Sequence, residues 1–315
     1  MEPQPNLFQR IRSSVLLALP KSGATIWWLL KVIIPISLAV TLLLHFGIIA
    51  YFATWVSPVF SIVGLPGEAA IVFITSTFLT LYAPIAIIAS LSMSMREITI
   101  LATMCLISHN LFVESAIQKK TGSSALIMFS TRVITSFVAA LLLNWALPHQ
   151  IGKEAIHNHH LVTNTLTQLL STWAVDTAAL SLKMSLIITS LMILQNILKE
   201  FKIIDVLSSL FAPLMKLMGL SSQCSFLWII SQLIGLTYGS AIMIDEVNKN
   251  EISPKDANLL NYHIAINHSS LEDNMLFVAI GVPALWIFIP RFILAICIVW
   301  GIRLLEIARA KFFTV

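Results

Sequence analysis

Apolar runs of twenty or more residues, separated by short polar clusters, dominate this chain and give it a helical, membrane-spanning rhythm. Residues 5–22 place Leu7, Phe8, Ile11, Val15 and Leu16 on one helical face, with Arg10, Arg12 and Lys21 elsewhere, the pattern of an interfacial helix. A spanning helix is expected from Trp27 to Ala53, with Trp28 and Trp55 as interface anchors and Pro35 and His45 as interruptions. After the turn Gly64-Leu65-Pro66-Gly67 a second helix is expected from Glu68 to Leu91. Pro84 removes a backbone donor at mid-depth, so this helix should be kinked or broken there, with Tyr82 and Pro84 lining the break.

The stretch from Ile98 to Lys119 reads either as a crossing helix or as a re-entrant hairpin turning at Ser108-His109-Asn110, and a helix from Ser124 to Leu147 follows. Residues 148–181 read as a polar connector. Its His157-Asn158-His159-His160 cluster lacks a carboxylate at fixed spacing and fits a solvated loop. Helices Leu182–Ile204 and Cys224–Ile244, a second hairpin Asn258–Gly281 and a helix Pro283–Leu305 complete the expected elements, with Tyr238 and Gly239 as the counterpart of the Tyr82 break.

The polar positions repeat. The segment Ile107–Ile134 returns 159 residues later without a gap, so that His109 falls on His268, Glu114 on Asp273, Gly122 on Gly281, Phe129 on Phe288 and Arg132 on Arg291. Eight identities and one carboxylate exchange in 28 positions exceed what apolar composition produces by chance, and chance would not select a His, an acid and an Arg. Looser echoes extend the duplication: Ser57-Pro58 with Ala212-Pro213, and Gly64-Leu65 with Gly219-Leu220.

Composition puts this duplication in a bilayer. The chain is 57% hydrophobic and 11% charged with mean hydropathy +0.89, against about 25% charged residues in soluble domains. An all-α polytopic membrane protein follows, built of two inverted repeats, each with about three spanning helices plus a re-entrant hairpin or broken helix, six to eight membrane segments in all. The expected divisions are an interfacial, cytoplasmic segment 1–26, a first membrane repeat 27–147, the connector 148–181, a second repeat 182–309 and a cytoplasmic tail 310–315. The net charge of +4 is spread over loops and ends, which points to membrane orientation and not to nucleic acid. Counting positive charges favours the hairpin form of residues 98–119, with both termini cytoplasmic in a bacterial inner membrane. Three crossings per half would invert the second copy, the arrangement of alternating-access transporters. Cys105, Cys224 and Cys297 lie in apolar segments and read as buried apolar residues, and no cleavable signal is expected.

The segments SHNLFVESAI (108–117) and NHSSLEDNMLF (267–277) resemble the paired motifs of the nucleoside-recognition, or Gate, domain family, which includes spore maturation proteins A and B. Related gate regions are described in concentrative nucleoside transporters and in the membrane part of the bacterial ferrous-iron permease. The resemblance covers nearly the whole chain through its two halves and implies a permease or permease component, either as a homo-oligomer or beside a second Gate-type subunit. No GxxxxGK[ST] stretch accompanies it, so the iron permease's GTPase has no counterpart here.

Ser108, His109, Asn110, Glu114 and Arg132 in one copy, and Asn267, His268, Ser269, Glu272, Asp273 and Arg291 in the other, are the candidate site. Ser108, Asn110 and the Ser270-Leu271-Glu272-Asp273 run read as helix N-caps. Buried charges in a membrane cost at least about 2.5 kcal/mol on insertion scales, so these groups must pair or face water. Three readings remain open. In the transport reading the halves line one cavity, arginine holds a small polar or anionic solute, and His with acid couples it to a proton or cation. In a structural reading Glu114 clamps Arg132 and Asp273 clamps Arg291. In a metal reading His109, His268, Glu114, Glu272 and Asp273 offer N and O ligands to a divalent ion, as in a metal permease. No cofactor is expected, and the absence of HExxH and GxSxG argues against an enzyme. The partners expected are the lipid bilayer, a solute and a coupling ion.

Overall fold

The computed structural model describes residues 6–151 and 165–313; the His157–His160 cluster lies outside the described residues. Among them the secondary structure is all helical. The first half contains α1 (Leu7–His45), α2 (Ile48–Ile62), α3 (Ala69–Phe78), α4 (Tyr82–Ile88), α5 (Met95–Ser108), α6 (Leu111–Lys120) and α7 (Ala125–Ala146). The second half returns the same order as α8 (Leu166–Glu200), α9 (Ile203–Leu217), α10 (Ser225–Leu233), α11 (Leu236–Asn248), α12 (Pro254–Ile266), α13 (Glu272–Ala279) and α14 (Ala284–Phe313). Among the described residues five stretches are long and apolar enough to cross a bilayer: α1, α5 with α6, α7, α8 and α14.

The two long helices α1 and α8 lie antiparallel along most of their length. Arg10 at the start of α1 pairs with Glu200 at the end of α8 at 2.8 Å, and Ser37 meets Thr177 at 3.2 Å. Asn6 and Gln9 form a capping box that begins α1, and the helix continues through Pro20 and Pro35 to His45 before Gly47, in left-handed backbone, ends it. The expected interfacial helix over 5–22 is therefore the first part of α1 and no separate element. The connector is also shorter than the 148–181 expected, because the Thr165 side chain caps a helix that already runs from Leu166.

Each long helix is followed by a 15-residue helix, α2 or α9, too short at 1.5 Å per residue to cross about 30 Å of hydrocarbon. Then comes a helical hairpin. In α10 and α11 the chain reverses so closely that a Cβ on Gly239 would collide with the Ser231 side chain, a contact impossible in a continuous helix, where residues eight apart lie about 12 Å apart. α3 and α4 pack against each other in the same way, reversing through Leu79-Thr80-Leu81. The break expected at Pro84 thus falls a few residues earlier, and the chain folds back there.

The stretches 98–119 and 258–281 do not re-enter. Arg96 at the start of α5 bonds Asn144 at the end of α7, while Ser108 at the end of α5 bonds the carbonyl of Arg132, so α5 and α6 run in succession along α7 as one broken pass. Lys255 pairs with Glu306 at 2.9 Å and Arg291 bonds the Ile266 carbonyl, which sets α12 and α13 along α14 in the same manner. Of the two forms expected for these segments, the broken crossing helix is the one found. The hairpins lie one element earlier.

These contacts define two ends. One end gathers Arg10 with Glu200, Arg303 on the Gly219 carbonyl, Lys255 with Glu306, and Ser123 at the turn after α6 bonded to Asn258. The other gathers Arg96 with Asn144, Lys183 on the Ala279 carbonyl, and Gly281 against Met95. The α3/α4 hairpin enters from the second end and α10/α11 from the first, so their tips meet inside. Cys105 and Cys224 are buried as expected, whereas Cys297 is exposed on α14, a helix whose Leu285, Ile289 and Ile293 form an apolar surface suited to lipid.

Candidate functional site

Both broken helices are interrupted by the same backbone device. Asn110 has φ 47° and Ser269 has φ 47°, a left-handed conformation that ends one helix and starts the next in a new direction. Each residue's N–H, freed from its own helix, donates to the hairpin of its own half: Asn110 to the Ser76 carbonyl at 2.8 Å, Ser269 to the Ser231 carbonyl at 2.9 Å. The expected side-chain caps are not formed. Neither α6 nor α13 has a capping hydrogen bond from its N-cap side chain, because Asn110 and Leu271 occupy those positions in helical, left- or right-handed, backbone. The hairpin carbonyls satisfy the break instead.

The carbonyls exposed by each break are collected by an arginine from the next helix. Arg132 donates to Ile107 O at 2.7 Å and His109 O at 2.8 Å; Arg291 donates to Ile266 O at 3.2 Å and His268 O at 3.0 Å. Both guanidiniums are fully buried. An uncompensated buried charge costs several kcal/mol, and here the compensation differs between halves. Arg132 Nη2 pairs with Glu114 at 2.8 Å, as expected of a clamp. Arg291 Nη1 bonds the Asn274 amide at 2.8 Å. The expected Asp273–Arg291 pair is absent among the described residues. Asn274 takes its place, and Asp273 crosses to the other half, where its Oδ2 lies 3.5 Å from His109 Nε2.

His109 and His268 thereby meet, with ring centroids 5.1 Å apart. Glu114 stands between them, 3.3 Å from His109 Nε2 and 3.4 Å from His268 Nε2. Beside this cluster Glu272 accepts from the Tyr82 hydroxyl at 3.4 Å and from Gln195 of α8 at 3.3 Å.

A cavity of about 200 Å³ opens at this junction. It is lined by the first hairpin tip (Thr80, Tyr82), the first break (His109, Asn110, Glu114), the second tip (Gly235) and the second break (Ser269, Glu272, Asp273). Ser108, Asn267 and His268 support it from behind: Ser108 holds the Arg132 carbonyl, and the Asn267 carbonyl accepts from Gln232. Arg132 and Arg291 do not line it. Pro84 is buried in α4, Tyr238 lies beneath Lys199 with the ammonium 4.4 Å from its ring centre, and Gly239 packs on Ser231; none of the three lines the cavity. The residues missed from sequence are Thr80, Gln195, Gln232, Gly235 and Asn274. Gln195 and Gln232 carried one available signal, a carboxamide inside an apolar helix, paired with Asn196 in the first case and alone in the second.

The ligand atoms of His109, His268 and Asp273 lie within 4.8 Å of one another, spacing suited to one metal ion. Of the five residues of the expected metal set, Glu114 joins these three, while Glu272 stands apart, bonded to Tyr82 and Gln195.

Among proteins of known sequence, the chain is similar to "Uncharacterized membrane protein YvoD" of Bacillus subtilis (strain 168), with 30% identity over 297 residues, 92% of this chain and 89% of the relative. No family model matches the chain. No solved structure matches it.

Proposed function

Since the chain belongs to the family of the Bacillus membrane protein YvoD, we propose that it is a membrane transporter whose small polar solute binds between the two hairpin tips and the two helix breaks. One observation carries the proposal: a single cavity draws one tip and one break from each half of the chain. Interrupted helices are tolerated at membrane depth where they line such a cavity, and opposed halves meeting at a shared site are the architecture of alternating access.

The direction of the elements supports inverted repeats. α1 and α8 open their halves and run antiparallel, and each half makes three passes between the two ends. This reading takes α12 with α13 as the third crossing of the second half, beside the five stretches that are long and apolar enough to span. Basic side chains support cytoplasmic termini in a bacterial plasma membrane: Arg10, Lys120, Lys202, Lys216, Lys255 and Arg303 belong to the end that holds both terminal helices' outer ends, and Arg96 and Lys183 to the opposite end. The resemblance of residues 108–117 and 267–277 to Gate proteins belongs to the same proposal.

The cavity wall favours a cationic or hydrogen-bonding solute over an anion. It presents Glu114, Glu272, Asp273, His109 and the Tyr82 hydroxyl, while both guanidiniums are occupied with backbone carbonyls. The buried cluster of imidazole and carboxylate is also the place for a coupling ion.

The test is solute accumulation, measured by mass spectrometry in cells carrying the wild-type chain or the Glu272→Gln variant at equal membrane abundance. A solute that accumulates only with wild type is the expected result. Identical profiles for wild type, variant and cells lacking the chain contradict transport.

A further inference from the structure

Both imidazoles of the site are oriented by their own helices. His268 Nδ1 lies 2.7 Å from the Ile264 carbonyl, and His109 Nδ1 lies 3.2 Å from the carbonyls of Cys105 and Leu106. A carbonyl only accepts, so Nδ1 carries the ring proton and Nε2 presents a lone pair in the neutral ring. Those lone pairs face carboxylates. His109 Nε2 is 3.3 Å from Glu114 and 3.5 Å from Asp273, and His268 Nε2 is 3.4 Å from Glu114.

A lone pair and a carboxylate repel unless a positive species lies between them. The separations of 3.3 to 3.5 Å are long for an N–H···O bond, which prefers about 2.9 Å. The 3.5 Å between the ligand atoms His109 Nε2 and Asp273 Oδ2 matches instead the edge of a tetrahedron around an ion with ligand bonds of about 2.1 Å, which is about 3.4 Å. His268 Nε2 and Asp273 Oδ2 are buried and have no hydrogen-bond partner among the described residues. Imidazoles whose second nitrogen is fixed by a backbone carbonyl are also the usual form of metal-binding histidine, because that bond sets tautomer and ring orientation.

We propose that His109, His268 and Asp273 bind a divalent transition-metal ion, with Glu114 between the imidazoles as balancing charge. Two nitrogens and one carboxylate oxygen, without thiolate, select an ion of the Zn²⁺, Fe²⁺, Co²⁺ or Mn²⁺ type over Mg²⁺ or Cu⁺. Three protein ligands leave coordination positions open to water, and His109 and Asp273 both reach the cavity, so an ion can be exchanged from it. The ligands come from both halves of the chain, so relative movement of the halves would take the site apart. The binding site stands on geometry alone. Its role as cargo or coupling ion rests on the transport reading above.

The test uses purified full-length protein in detergent, stripped with chelator and titrated with Co²⁺ alone, followed by visible absorption and by metal content per chain. One Co²⁺ per chain with bands of a nitrogen- and oxygen-ligated ion is expected. His268→Gln and Asp273→Asn should each weaken binding by about tenfold or more, and Cys297→Ser should leave it unchanged. Pulsed electron paramagnetic resonance of the wild type loaded with Cu²⁺ is independent of whether the variants fold, and should detect two imidazole nitrogens. Failure to retain Co²⁺, or retention without imidazole coupling, overturns the ion site and leaves a shared proton to bridge each pair. Solute accumulation by a wild-type protein that fails to bind Co²⁺ overturns the ion site alone, and accumulation unchanged in Asp273→Asn that has lost Co²⁺ overturns only the ion's role in transport. Co²⁺ binding without accumulation of any solute supports the ion site and counts against transport.

Discussion

Asn110 and Ser269 hold the same left-handed backbone conformation, φ 47° in each, and each donates its N–H to a serine carbonyl in the hairpin beside it. The pair marks the point where each half of the chain opens a helix toward the common cavity. Left-handed backbone costs an ordinary L-residue about 1–2 kcal/mol, and asparagine bears it better than most. Ser269→Gly should therefore stabilise the protein by up to about 1 kcal/mol, and Ser269→Val should destabilise it by about as much or more. Thermal unfolding in detergent reads both, and a glycine variant less stable than wild type would show that the Ser269 hydroxyl matters more than its backbone.

Glu114 is the only carboxylate paired with Arg132 among the described residues. Glu114→Leu leaves a buried guanidinium with only carbonyl acceptors, and should cost about 3 kcal/mol. In the double variant Glu114→Leu/Arg132→Met neither charge is present, so part of that loss should return. Unfolding of the two single variants and the double variant checks this. Additive losses would mean that the pair has no coupling.

The α10/α11 hairpin depends on Gly239 lying against Ser231. Gly239→Ala drives its methyl into the Ser231 hydroxyl, which has to rotate away, and presses on Ser231 Cβ; this should cost about 1 kcal/mol, the lower end of overpacking. Adding Ser231→Gly removes the colliding side chain and should restore stability. An unchanged melting temperature in Gly239→Ala alone would contradict the close reversal of the chain.

Asymmetry between the halves gives another expectation. Arg291 bonds Asn274, so Asp273 is free to face His109. Asn274→Asp offers Arg291 a carboxylate and places a further negative charge beside Asp273. Folded yield should hold, and solute accumulation should fall at least about tenfold, the loss expected when a supporting partner of a binding group changes. Undiminished accumulation would show that this difference between the halves has no role in function.

Much of this site was legible because duplication repeats chemistry at fixed spacing. His109 with His268 and Arg132 with Arg291 stand out in apolar surroundings; the two imidazoles meet beside the cavity, and the two guanidiniums hold the broken-helix carbonyls behind it. The hairpins were not legible in the same way. Residues 69–88 read as one interrupted helix, because an apolar run does not encode whether it continues or reverses. That choice is made by packing distant in sequence, such as the Ser76 carbonyl on Asn110. The swap of Asn274 for Asp273 was likewise hidden, since matched positions of a repeat suggest matched partners and only side-chain geometry separates neighbours one residue apart. The start of α8 had a readable signal in Thr165-x-x-Gln168, a capping pattern that the polar character of the surrounding residues masked.

The central claim, that the tips and breaks of both halves enclose one site reached alternately from the two faces of the membrane, is tested most directly at Ser269. In a chain with Cys105, Cys224 and Cys297 replaced, Ser269→Cys is treated with a membrane-impermeant maleimide in right-side-out and in inverted vesicles. Labelling from both faces is the result predicted, with the more slowly labelled face limited by the change between states. Labelling confined to one face at all times, or absent from both, would contradict it.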